Sequence, residues 1–389
     1  MPQRPHRVRT TVDRASCART QELEPAALID RVIHRPAPVR LPLLRHLLCT
    51  SLPPFFKPHP KLNPATGRVL SRPLGGDRGM TEWFEESDED ATSWRRQVGL
   101  GSVVKVVVEA LEPAEVEDLW PFLLPPLLAY LDDYEAANKV IGISVLDALL
   151  DKVDASLLRR TGVGKVFEKS LENAFSSLSD PLSPSLVAAA HPVALKLLTL
   201  QHPASSTGDD QPRFDALCAL LSASVTHTWE FKSGHVALET VSCLALPPLL
   251  DALGAGSIRY LQLLVPHLCG VLTGANGTWT RETAGMLHAA AVALGCVARN
   301  ATARVSGRWE GRIGAAVAQC WVEAREDEAA VKLREGDEGR GALHELEGAL
   351  RAVVEELGRK EGGALLAPPR LVEDPALRDL FSPPAVAAW

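Results

Sequence analysis

Residues Leu119 to Leu150 read as two amphipathic helices joined at an Asp-Asp corner, and the same layout returns about 140 residues later. Few folds are open to a chain that repeats a helical hairpin in this way. The first helix places Leu124, Leu127, Leu128 and Leu131 at three- and four-residue steps, the spacing of one apolar helix face. Pro125 and Pro126 interrupt it. A helix-interior proline removes a backbone bond, so the segment is expected to be a curved or broken outer helix. Asp132 and Asp133 are expected to turn the chain and cap the next helix, because a short carboxylate accepts from free N–H groups. The second helix is expected from about Glu135, with Val140 or Ile141, Gly142, Val145, Leu146 and Leu149 inward and Lys139 on the solvent rim.

Pro, Leu, a corner Asp, a basic residue, a small residue and a Leu, in that order, resemble a HEAT repeat. In the second copy Pro266 precedes Leu272 as Pro125 precedes Leu131, and Arg281, Ala284 and Leu287 stand where Lys139, Gly142 and Val145 stood. Its corner is Thr273 to Gly277, where a Gly/Asn pair tolerates positive φ. A weaker third echo opens at Trp229, with Lys232, His235 and Leu238 leading a long apolar helix expected to end at Pro247-Pro248. One hairpin buries too little apolar surface to offset the entropy of ordering it, so such units must stack on their neighbours. The expected fold is all-α, a HEAT/armadillo-like solenoid of stacked helical hairpins with an irregular N-terminal segment. Residues 1–94 form an Arg/Pro-rich, then acidic region; residues 95–360 form the solenoid; residues 361–389 form a tail.

Composition agrees with helix packing. Aromatics are only 5% against 46% hydrophobic residues, with Leu and Ala dominant and no useful strand-type alternation. The seven cysteines are widely spaced; Cys243, Cys269, Cys296 and Cys320 sit inside apolar runs and read as small reduced core residues, which suits a cytosolic or nuclear protein. Without a signal peptide, the sequons at Asn276 and Asn300 are chance tripeptides. Asp251, His267 and His288 cut the longest apolar runs, so no span of eighteen residues and no membrane association are expected. The first 45 residues hold nine arginines against Asp13, Glu22, Glu24 and Asp30, and the remainder carries −12. Those acids argue against a transit peptide, and the acidic body argues against nucleic acid.

Residues 1–20 read as disordered, Leu23 to Leu52 as two short helices, and Pro53 to Gly79 as extended. The acidic run from Glu82 to Asp90 reads as a solvated loop, with Ser87 a candidate for an acid-directed kinase. From Val98 onward helices are expected almost without pause, broken at Gly162–Gly164, Ser179–Pro184, Gln201–Pro212, Gly254–Gly256, Gly274–Gly277 and Gly336–Gly341. A last amphipathic helix carries Leu343, Leu346, Leu350, Val353 and Leu357 and is expected to cap the array.

No reaction centre is legible. Gly162-Val-Gly-Lys165 lacks the spacer, the hydroxyl residue and the preceding strand of a phosphate loop. His344-Glu345 lacks the second zincin histidine, and there is neither a Cys-x-x-Cys nor a Gly-x-Ser-x-Gly elbow. No cofactor or metal is expected, leaving Asp132, Asp133, Lys139, Trp229 and Arg281 as repeat-corner or partner-surface candidates.

Four stretches carry a resemblance. They are Pro58-His-Pro-Lys-Leu-Asn-Pro-Ala-Thr-Gly-Arg68 with Arg72-Pro-Leu-Gly-Gly76; the acidic run closing at Trp94-Arg95; Trp120-Pro-Phe-Leu-Leu-Pro-Pro-Leu-Leu to Asp132-Asp-Tyr134 with Lys139 and Gly142; and Leu157-Leu-Arg-Arg-Thr-Gly-Val-Gly164 with Val166-Phe167, Leu178 and Ser183-Pro184. Together they resemble the Tel-two-interacting protein two family, subunits of the Triple T (TTT) co-chaperone complex, over roughly residues 55–200. The resemblance implies a non-enzymatic α-solenoid that binds the other TTT subunits and works with heat-shock protein 90 in maturing phosphatidylinositol-3-kinase-related kinases. Two other readings stay open at this point: a HEAT-type transport adaptor that binds a GTPase, and an enzyme whose site forms only in the fold.

Overall fold

The structure is a computed structural model and describes residues 36–84, 93–97, 99–204, 210–232, 234–274, 278–358 and 374–381. Among the described residues there is no strand. An isolated antiparallel bridge joins Leu62 to Val69, and the chain is otherwise helix and turn. The N-terminal part contributes α1 (Ala37–His46), continued by a π-turn at Leu47–Ser51, and α2 (Gly76–Phe84). Then come α3 (Leu100–Ala110), α4 (Pro113–Leu131), α5 (Ala136–Leu150), α6 (Ala155–Thr161), α7 (Gly164–Ser176), α8 (Ser183–Gln201), α9 (Gln211–Leu221) and α10 (His227–Phe231). The C-terminal part holds α11 (Val236–Leu253), α12 (Leu261–Leu272), α13 (Arg281–Asn300), α14 (Thr302–Arg308), α15 (Glu310–Glu326), α16 (Glu328–Glu335), α17 (Asp337–Gly358) and α18 (Arg378–Phe381).

Local chemistry explains many of these ends. Glu112 and Glu115 form a reciprocal capping box ahead of α4. Asp154, Thr280 and Asp327 accept from backbone N–H groups at the starts of α6, α13 and α16. Gly162 closes α6 with φ 74°, a left-handed conformation that glycine adopts without strain. The phosphate-loop look-alike is therefore a helix stop followed by a helix start.

Packing runs in file. The inner helices α3, α5, α8, α11, α13 and α17 each pack on the next, while α4, α7, α9, α12 and α15 lie outside them and pair with inner partners. A single apolar core follows this file from Leu44 to Leu380 and includes Phe56, Leu62 and Trp94 of the N-terminal segment. The predicted stripe of α17 is covered: Leu343, Leu346, Leu350 and Val353 are fully buried, packed where α17 meets α13 and α15. Cys243, Cys269, Cys296 and Cys320 are buried and unbridged.

Several expectations need correction. Of the two forms expected at Pro125 and Pro126, curved or broken, the broken one is excluded, since α4 is one helix from Pro113 to Leu131; α11 runs through Pro247 and Pro248 to Leu253 instead of stopping there. Interior prolines cost about 3 kcal/mol each. The leucines these two helices bury outweigh that cost: Leu119, Leu123, Leu124, Leu127, Leu128 and Leu131 in α4 and Leu238, Leu246, Leu249, Leu250 and Leu253 in α11, at about 1.5–3 kcal/mol apiece. The break at Gly336 is short, with helix resuming at Asp337. Two segments, Ser183–Gln201 and Val236–Leu272, are also long and apolar enough to cross a bilayer, contrary to the sequence reading. The interrupting charges and histidines fall on turns of helix that the apolar average absorbs. Residues 1–35, the acidic run beyond Phe84 with Ser87, residues 205–209, the Asn276 turn and most of the tail lie outside the described residues.

Candidate interaction site

The described parts of the stretches that carry the family resemblance meet at one corner of the stack. The turn Asn63 to Arg68 is closed by Asn63 N–H to Arg68 O at 2.8 Å and by Gly67 N–H to Asn63 O at 2.8 Å. Gly67 has φ 64° and presses against α4. A Cβ there would stand 2.7 Å from Trp120 Cδ1 and 2.9 Å from Leu124 Cδ1, so no other residue seats the turn so closely. The same segment donates Val69 N–H to Thr161 O at 2.9 Å, which ties it to the end of α6. The extended segment thus clamps two separate hairpins.

Trp94 and Arg95 enter from the other side. The Trp94 ring lies 4.5 Å from the Tyr130 ring and 6.1 Å from that of Phe56. The Arg95 guanidinium lies 5.0 Å from the Trp94 ring centre and 5.1 Å from that of Tyr134, and it donates twice to Asp133 Oδ1. Asp133 also accepts from the Tyr134 backbone at 2.9 Å and from Asn138 at 2.5 Å. A carboxylate so surrounded replaces its lost hydration with charge-assisted bonds.

The structure therefore relocates most of the sequence candidates. Asp133 is 2% exposed and caps no helix; the cap position of α5 is Glu135, whose side chain makes no capping bond. The half-buried guanidinium of Arg95 takes the carboxylate instead. Asp132 ends α4, and its carboxylate faces His59 at 3.7 Å, whose ring meets Trp83 edge-on. Lys139 lies in the interior rather than on the rim, because the end of α7 covers it and Ser177 Oγ accepts a hydrogen bond from its Nζ at 3.3 Å. Burial lowers its pKa, and Asp132, Asp133 and Asp180 oppose that shift. Trp229 is 5% exposed, stacked on His267 with ring centres 3.7 Å apart, and donates to Ser242 Oγ at 2.8 Å. Arg281 alone among the five is well exposed, paired with Glu338 at 2.7 Å.

Within-helix spacing could not show which rim a neighbour covers, nor which aromatics remain outside. Tyr134 is 66% exposed and Phe122 is 41% exposed, both beside the clamped corner. Phe122 borders a cleft of about 270 Å³ lined with Phe56, Leu62, Pro121, Pro125 and Pro126. Rigid apolar walls with an exposed aromatic at the lip suit a partner side chain.

Chemistry elsewhere is sparse among the described residues. His267 Nε2 and Glu239 Oε1 share a hydrogen bond at the edge of a cleft that also meets Thr283. Cys243, the thiol nearest to that pair, is held protonated: burial pushes its pKa far up, and Glu239 adds to the shift. Burial likewise pushes Cys269 to about 11 and Cys296 and Cys320 to about 12, so none is a thiolate at neutral pH. No group of three or more side chains among the described residues could hold a metal ion.

The clamp, the corner and both helices that flank them fall inside residues 14–278, the stretch matched by the model of the Tti2 family. No curated protein and no solved structure matches the chain.

Proposed function

This chain belongs to the Tti2 family, and on that premise we propose that it is a non-enzymatic scaffold subunit of the TTT complex. In this reading it binds the Tel-two and Tti-one subunits, acts in cytoplasm and nucleus, and supports the maturation of phosphatidylinositol-3-kinase-related kinases together with heat-shock protein 90. The family match over residues 14–278 carries the reading. The stacked fold supports it, because helices packed in file leave long faces to solvent while the core stays closed. So does the clamped corner, which holds exposed Tyr134 and Phe122 on a rigid base.

The test is affinity purification of the full chain, which should recover both other subunits in stable amounts. Depletion of the protein should lower the abundance of the kinases. Unchanged kinase levels in depleted cells would overturn the proposal.

A further inference from the structure

Arg304, Arg308 and Arg312 are exposed and fall at four-residue steps along α14 and the start of α15. The two helices meet at the single turn residue Trp309, whose N–H makes the last bond of α14, to Val305 O at 3.0 Å, and whose carbonyl accepts the first bond of α15, from Ile313 N–H at 2.9 Å. None of the three guanidiniums has a carboxylate partner among the described residues. Their neighbours differ: Arg281, Arg299, Arg325, Arg334 and Arg340 each sit within 4 Å of a carboxylate. Arg308 lies over the Trp309 ring at 5.1 Å, which steadies the side chain and satisfies none of its donors.

Beside the arginine row runs a row of small residues, Ala303, Gly307, Gly311 and Ala315, all exposed. A Cβ added at Gly307 or Gly311 would meet no atom within 4 Å, so this row is an open channel. Residues at four-residue steps advance about 6 Å per step, and the ridge of a second helix fits such a groove. Carboxylates at the same steps on that helix would meet the arginines in paired, two-bond geometry.

We propose that the α14–α15 face docks an acidic helix of a partner protein, whose carboxylates at four-residue steps meet Arg304, Arg308 and Arg312 over the small-residue channel. The site lies beyond the residues matched by the family and does not depend on the assembly proposed above. A protein helix fits better than nucleic acid, because the chain as a whole carries −7 and would repel an extended polyphosphate.

Fluorescence anisotropy of the full chain at about 0.05 M salt tests this, where screening is weak. The probe is a labelled alanine-based helical peptide with three glutamates at successive four-residue steps. Its isomer carries the same glutamates side by side. The stepped peptide should bind about tenfold tighter than the isomer, and the triple variant Arg304→Gln/Arg308→Gln/Arg312→Gln should lose about tenfold. Lys332→Gln/Arg340→Gln, which removes two cations already paired with carboxylates, should bind as the parent does. Circular dichroism checks folding, and the double variant Arg304→Gln/Arg308→Gln replaces the triple if that misfolds. Equal binding of the two peptides, undiminished binding by the variants, or tighter binding of a single-stranded oligonucleotide through the same arginines would overturn the proposal.

Discussion

Arg95 grips Asp133 through two nitrogens, Nε at 3.1 Å and Nη2 at 2.7 Å from the same oxygen, with the Asp133 side chain wholly buried. Through this contact the segment ahead of α3 is fastened to the turn between α4 and α5. Replacing one partner leaves the other charge buried without its counter-ion, which costs about 3–5 kcal/mol. Asp133→Ala and Arg95→Ala should each lower the unfolding free energy from urea titration by about that amount, and the double variant should recover part of the loss. Additive losses in the double-mutant cycle would show that the two side chains do not act as a pair.

Gly142 faces the backbone of α4. A Cβ there would lie 2.6 Å from Leu131 N and 2.8 Å from Tyr130 C, and a main chain cannot swing aside as a side chain can. Gly142→Ala should therefore destabilise by about 1–3 kcal/mol in thermal melts. Gly285 in α13 meets nothing within 4 Å at its Cβ position. There the gain in helix propensity is unopposed, and Gly285→Ala should stabilise by about 0.5–1 kcal/mol. The opposite signs of two identical substitutions are the readout.

This contrast shows what could be read from the sequence and what could not. The small residue at 142, the leucine stripes of α4 and α17 and the stops at Gly162 and Gly254 follow from spacing within one helix, and they stand where expected. Lys139 and Asp133 escape such a reading because their environment comes from other elements: the end of α7 and Arg95, 38 residues away in each case. Pro247 and Pro248 imitate a stop because their local cost is visible in sequence, whereas the burial that offsets it is not.

His191 is 3% exposed and hydrogen-bonds Ser224 Oγ through Nδ1 at 3.1 Å. Burial drives its pKa from 6.5 down to about 4, so the native state keeps it neutral. Its stabilising contribution is whole above the unfolded value of 6.5. As pH falls from there toward about 4, the unfolded chain takes up a proton that the native state refuses. Stability drops across that window by a limit on the order of 3 kcal/mol. His191→Gln should flatten the fall in melting temperature between pH 6.5 and 4 relative to the parent; parallel pH curves would refute the assignment.

Trp229 combines a stacked ring with one buried hydrogen bond to Ser242. Trp229→Phe keeps an aromatic face over His267 and gives up the donor, for a cost of about 1 kcal/mol. Trp229→Ala also opens a cavity, for about 3–5 kcal/mol. Denaturant titration of the two variants separates the bond from the packing.

In a file of helices where α3, α5, α8, α11, α13 and α17 each rest on the next, a tug between the two ends passes through every joint in turn. Small rotations at successive joints add up, so the whole body can lengthen or twist while each helix stays intact. A load placed on one end of such a file is therefore shared out among all its joints instead of falling on any single one.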